Sequence, residues 1–164
     1  YVYYTDPGGG SSSWIGAVSN NNTAGNIIQV VSSRLNTTVT TSSSSWQPTG
    51  LTATITPSNA SNKVVATLTA YGYSAGNGRP MHTNLFRGTI ASGVDLSNNN
   101  FGLGRIYASV ATLTGNVGFT ILDDPSTTSA TTYTVAFKDY DGAVNAQFNT
   151  GNMRAELTLM EVAG

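Results

Sequence analysis

The chain has 164 residues, of which 9% are charged against about 25% in an average soluble protein, and its net charge is −1. That length fits one domain, and the seven Lys and Arg are too scattered to form the basic stripe that nucleic acid requires. There is no cysteine, which removes disulfides, thiolate nucleophiles and Cys-ligated metals together, and no apolar run approaches the roughly 20 residues that span a bilayer.

Residues 1–25 differ from the rest. Tyr1, Tyr3 and Tyr4 precede a Pro7-Gly8-Gly9-Gly10-Ser11-Ser12-Ser13 tract, followed by a short apolar island at Trp14, Ile15, Ala17 and Val18. Gly/Ser tracts are flexible connectors, so this segment reads as an arm or linker whose aromatic rings dock on a neighbouring subunit. A chain that begins at Tyr1 reads as processed or as an excerpt of a longer protein.

From Asn26 onward short runs alternate with a period of two. Leu51, Ala53 and Ile55 face one way and Thr52, Thr54 and Thr56 the other. The same alternation recurs in Val64-Ala66-Leu68, Ile106-Ala108-Val110, Val117-Phe119-Ile121, Tyr133-Val135-Phe137 and a last run over 156–162. This is the pattern of antiparallel strands with one buried and one wet face, and Thr suits the wet face because its branched Cβ fits the pleat. Turn residues separate the runs at Pro57-Ser58-Asn59, Gly76-Asn77-Gly78, Asn98-Asn99-Asn100 and Asp141-Gly142, the last reading as a tight hairpin. Eight to ten short strands over 26–164 predict an all-β fold, an antiparallel β-sandwich or jelly roll.

The candidate chemistry is sparse. His82 is the sole histidine and reads as an exposed or structural loop residue, since no G-x-S-x-G turn marks an activated Ser. Asp123-Asp124 and Asp139-Tyr140-Asp141-Gly142 cluster carboxylates, but the distal Glu and further oxygens of an EF-type loop are absent. Turns account for both, with Asp139 and Asp141 left as cation candidates; no cofactor is expected. Tyr71, Tyr73, Asn77, Arg79 and His82 gather around one turn, where rings that stack on sugars sit beside directional hydrogen-bonding groups. They are the predicted recognition residues for a glycan or protein, set against the plainer reading that the two tyrosines cap a sheet face or fill a subunit interface.

Two stretches also carry a resemblance. One comprises Ile27-Ile28-Gln29-Val30-Val31, the Thr40–Trp46 run and Thr49-Gly50-Leu51-Thr52-Ala53-Thr54-Ile55-Thr56-Pro57-Ser58-Asn59-Ala60-Ser61-Asn62-Lys63-Val64. The other comprises Phe119-Thr120-Ile121-Leu122-Asp123-Asp124-Pro125-Ser126-Thr127-Thr128-Ser129-Ala130-Thr131-Thr132-Tyr133-Thr134-Val135 and a last Leu157-Thr158-Leu159-Met160-Glu161-Val162-Ala163-Gly164. Together they resemble a domain of tail-fibre and other virion structural proteins of tailed phages, notably of marine and cyanobacterial hosts, in which Ser is more usual at the position of Asp124. The match covers about residues 27–164 and is weak between about 70 and 116.

The resemblance implies a non-enzymatic protein on the virion surface, either a tail-fibre head or a capsid spike or decoration protein. It implies a jelly-roll homotrimer similar to tumour-necrosis-factor-like and complement-globular-head-like domains, with Leu157 and Leu159 lining the three-fold core. Segments around 71–82 and 98–105 would then be variable loops that meet a host-surface glycan or protein, and capsid or tail proteins would be its other partners. Neither nucleic acid nor membrane insertion is expected. A bacterial extracellular adhesin or pilus-like subunit fits the same composition, with the arm completing a neighbour's sheet by strand addition.

Overall fold

The computed structural model describes residues 24–76, 78–109, 112–143 and 145–164. The arm expected over 1–25 therefore lies outside the described residues except for its last two, as does Asn77. Gly25 already belongs to the fold: its N–H donates to Ala163 O at 2.9 Å, and Ala163 N donates to Asn26 O.

Eleven strands form two antiparallel sheets: β1 (Ile27–Leu35), β2 (Val39–Thr41), β3 (Gln47–Ile55), β4 (Lys63–Ser74), β5 (Met81–Arg87), β6 (Val94–Asp95), β7 (Gly104–Ile106), β8 (Leu113–Asp123), β9 (Thr131–Asp139), β10 (Ala146–Phe148) and β11 (Ala155–Val162). In the first sheet β4 is central. β8 pairs along one of its edges; β11 and β10 share the other, and β1 and β2 lie outside them. In the second sheet the order is β3, β9, β5, with β6 and β7 sharing the far edge of β5. Elements that share an edge reduce each sheet to four strand positions, and the chain steps repeatedly from one sheet to the other. That is a jelly roll.

The alternation in the sequence places the core directly. Leu51, Ala53 and Ile55 are buried while Thr52, Thr54 and Thr56 are exposed. From the facing sheet come Val64, Ala66, Leu68, Leu157 and Leu159, with Tyr133, Phe137 and Phe148 filling the centre. The wet faces carry cross-strand threonine pairs, Thr54 with Thr132 at 2.8 Å and Thr67 with Thr120 at 3.2 Å.

The structure departs from several of these expectations. Asp141-Gly142 is not a hairpin: β9 pairs with β3 and β5, and the chain after it crosses to β10 in the other sheet. Gly142 still has φ 80°, but it serves a sheet-to-sheet crossing, which local turn chemistry does not distinguish from a hairpin. The run expected through Ile106-Ala108-Val110 is strand only as far as Ile106 among the described residues, and Val110 lies outside them. Tyr71 and Tyr73 lie on β4 and His82 on β5, not in loops. Leu157 and Leu159 are fully buried within the sandwich of this one chain, so neither side chain is free to line a three-fold axis.

Two polar clusters lie in one row of the first sheet, where Val64 is paired with Glu161 on one side and with Asp123 on the other. Glu161 points inward from β11 and has no exposed surface. Its carboxylate accepts from Ser58 N and Ser58 Oγ, both at 2.7 Å, and from Asn62 Nδ2 and Gln29 Nε2, both at 2.5 Å. Asn62 Oδ1 in turn accepts from Gly164 N. A buried carboxylate is tolerated only when its lone pairs are met, and four neutral donors meet them here. Burial pushes Glu161 up, but the donors from Gln29, Asn62 and Ser58 more than offset that and hold it at about 2.

At the second cluster Tyr133 donates to Asp123 Oδ2 at 2.7 Å, and Arg87 approaches both oxygens of Asp123 at 3.2 and 3.3 Å. Arg87 also donates to Asp124 O at 2.6 Å. Burial, together with the adjacent Asp123, raises the Tyr133 phenol far above its ordinary range.

Candidate functional site

The outward face of β5 carries His82, Asn84 and Phe86, and all three are buried. They are covered because the connection through 88–103 folds back over the second sheet. Leu103 N donates to Thr83 O at 2.8 Å, Leu96 N donates to Leu85 O, and Asn84 Nδ2 reaches Asp95 Oδ1 at 2.8 Å. Gly102 is required at this close approach: its φ is 76°, and a Cβ there would meet Thr83 O and lie 2.7 Å from the Trp46 ring. Trp46 packs edge-on against Phe86 at 6.2 Å, and Lys138 Nζ sits 4.5 Å over the Trp46 ring.

This layer leaves an open groove of about 390 Å³ lined by His82, Asn100, Phe101, Lys138, Tyr140 and Asp141. β5 and β9 supply the base, because His82 is paired directly with Lys138 across the two strands. The 88–103 connection supplies Asn100 and Phe101, and the segment after β9 supplies Tyr140 and Asp141. His82 Nδ1 lies 2.7 Å from Phe101 O, and its ring is 5.9 Å from that of Phe101 and 6.2 Å from that of Tyr140. Burial lowers the His82 pKa; the hydrogen bond with Phe101 opposes that, and Lys138 and Arg105 add to the lowering. Its Nε2 has no hydrogen-bond partner among the described residues. Phe101 and Tyr140 remain 60% and 52% exposed.

The predicted recognition residues do not form one site. Tyr71 and Tyr73 are half-buried on the outward face of the first sheet, opposite Asn116 and Thr114. His82 faces outward from the second. The chain crosses between the sheets over 75–80, so residues about ten apart in sequence look to opposite sides of the molecule. Arg79, on that crossing, pairs with Asp141 at 3.1 Å and so meets the groove at its rim. That ion pair is solvent-exposed and orients side chains more than it stabilises the fold. Asn100, Phe101, Lys138 and Tyr140 were missed as a group. The available signal was a lone ring beside each polar turn: Phe101 after the Asn98–Asn100 run and Tyr140 inside Asp-Tyr-Asp-Gly.

Of the acidic candidates Asp124, Asp139 and Asp141 bond within turns, whereas Asp123 ends β8. Asp139 is buried and accepts from Gly142 N at 2.9 Å and Ala143 N at 3.1 Å, and Asp141 accepts from Ala143 N besides facing Arg79. Asp123 is held by Tyr133 and Arg87, and Asp124 pairs with Lys63. Among the described residues no three His, Asp or Glu side chains gather as a metal-ligand set.

A second polar recess of about 350 Å³, lined by Thr67, Thr69, Thr158, Arg154 and Glu156, opens on the first sheet. Glu156 there pairs with both Arg34 and Arg154. No known family model matches the sequence, and no curated protein sequence matches it either.

Proposed function

We propose that this chain is a non-catalytic display domain of a tailed-phage particle, a tail-fibre head or a capsid spike or decoration protein, that works as a homotrimer and turns its loops toward the host surface. The observation that carries this reading is where the resemblance-bearing residues meet. Ser58 and Asn62 of one stretch close around Glu161 of the other, about a hundred positions away, and Asp123 and Tyr133 of the second stretch bond to each other. What supports the reading is that residues of both stretches take part in the polar clusters of one fold.

Assembly is supported by the outer face of the first sheet. Strand register lines up Val30, Met160, Val65 and Leu122 across β1, β11, β4 and β8. Val30 and Leu122 are 58% and 64% exposed, on a face whose next row is Ser32, Thr158, Thr67 and Thr120. An apolar row four strands wide is a surface that self-association would cover, and closed point-group symmetry is the usual outcome.

Light scattering on the purified chain, with Leu122→Asp as the comparison, tests assembly. A trimer is expected for the parent and a folded monomer for the variant; a parent that stays monomeric across concentrations refutes it. Immunogold labelling of particles places the chain on tail or shell, and absence of label from intact virions overturns the virion reading.

A further inference from the structure

The groove over the second sheet has the composition of a small-ligand site, and we propose that it binds a single saccharide residue of a surface glycan. Phe101 and Tyr140 offer ring faces for the C–H side of a pyranose. Asn100, Lys138 and Asp141 offer an amide, an ammonium and a carboxylate for its hydroxyls. This site rests on the display-domain reading and names the ligand class that such a head would hold.

Three observations carry it. The first is preorganisation. Exposed rings on a loop normally lose entropy when a ligand orders them. Here both rings pack against one buried imidazole, whose Nδ1 is tied to the Phe101 main chain, and Asp141 is steered by Arg79. The second is size: about 390 Å³ lies within the range of about 300–1,000 Å³ typical of small-ligand sites.

The third is the balance of polar groups. Asp141 is paired with Arg79, and Lys138 is drawn over Trp46, so the groove presents no concentrated charge of either sign. Phosphate or a polyanion calls for clustered cations and charge-assisted bonds, which this lining does not supply. An extended peptide adds to a free strand edge, whereas this groove opens on a sheet face beneath a folded-back connection. Interspersed donors and acceptors beside two exposed aromatic rings suit vicinal hydroxyls. The threonine-lined recess on the first sheet has hydroxyls and arginines but no aromatic ring, and so lacks the stacking surface.

Amide chemical-shift mapping on the isotopically labelled full chain tests the site, titrated separately with free glucose, galactose, mannose, N-acetylglucosamine and glucuronic acid. Millimolar binding of at least one sugar is expected, with shifts at Asn100, Phe101, Lys138 and Tyr140. Tyr140→Ala is expected to weaken it about tenfold or more, and Tyr71→Ala, on the opposite sheet, to leave it unchanged. Tyr140 is half exposed, so its truncation should leave the thermal melt in place; Phe101→Ala serves as the second variant, read the same way. No shift with any of the five sugars overturns the proposal. So does binding that survives both truncations, or shifts confined to the Thr67–Arg154 recess. Immunogold labelling of particles does not depend on sugar binding, so loss of this site and loss of the display-domain reading are told apart.

Discussion

Replacing Glu161 with Gln probes how a buried carboxylate closes the sandwich. In the folded chain the carboxylate has no exposed surface, accepts four hydrogen bonds and sits at about 2, against an ordinary value of 4.5. A folded-state value below the unfolded one means that the unfolded chain binds more protons in acid. The contribution is therefore complete above about pH 4.5 and is lost as pH falls toward about 2. Holding the carboxylate that far below its ordinary value stabilises the folded chain at neutral pH by on the order of 3 kcal/mol. Glu161→Gln removes the charge and turns an amide N–H₂ toward groups that are themselves donors, so a loss of about 2–4 kcal/mol at neutral pH is expected. Urea unfolding of parent and variant, at neutral pH and near pH 3, reads both effects. Exposed carboxylates such as Asp124 and Glu156 titrate alike in the two proteins, so the difference between them isolates Glu161. A variant within about 0.5 kcal/mol of the parent at neutral pH, or with the same loss of stability in acid, would refute the role assigned to this residue.

Leu157→Ala is expected to cost about 2–5 kcal/mol in denaturant unfolding, and the cost should not change with protein concentration, because the side chain is spent in the core of one chain. A concentration-dependent loss would return Leu157 to an intersubunit position. Tyr133→Phe removes the donor to Asp123 and leaves that buried carboxylate to Arg87; a loss of about 1–3 kcal/mol measured the same way is expected, and a neutral result would show that the hydroxyl is dispensable.

The fold was legible where local pattern and tertiary role coincide. Leu51, Ala53 and Ile55 alternate with threonines because a strand covers a core on one side only, and the same logic located β4, β8, β9 and β11. β5 escaped that logic. Residues Met81 to Phe86 are buried on both faces, so Met81, Thr83 and Leu85 show no contrast with His82, Asn84 and Phe86. The second cover is the 88–103 connection, whose Asn, Ser and Gly content reads as a plain loop.

The site was less legible than the fold, and Tyr71, Tyr73 and His82 show why. Sequence placed the three side by side; the crossing between sheets put them on opposite surfaces and brought Tyr140, from nearly sixty positions away, to His82 instead. Glu161 makes the same point for stability, since its four donors come from β1, the β3–β4 connection and the residue just before β4. By itself the sequence determined an all-β sandwich with a Thr-faced, weakly charged exterior, because burial of every second residue is a local requirement. Tertiary structure alone decided which loops meet and which carboxylates are buried. In a jelly roll nearly every connection changes sheet, and proximity in sequence then says little about proximity in space.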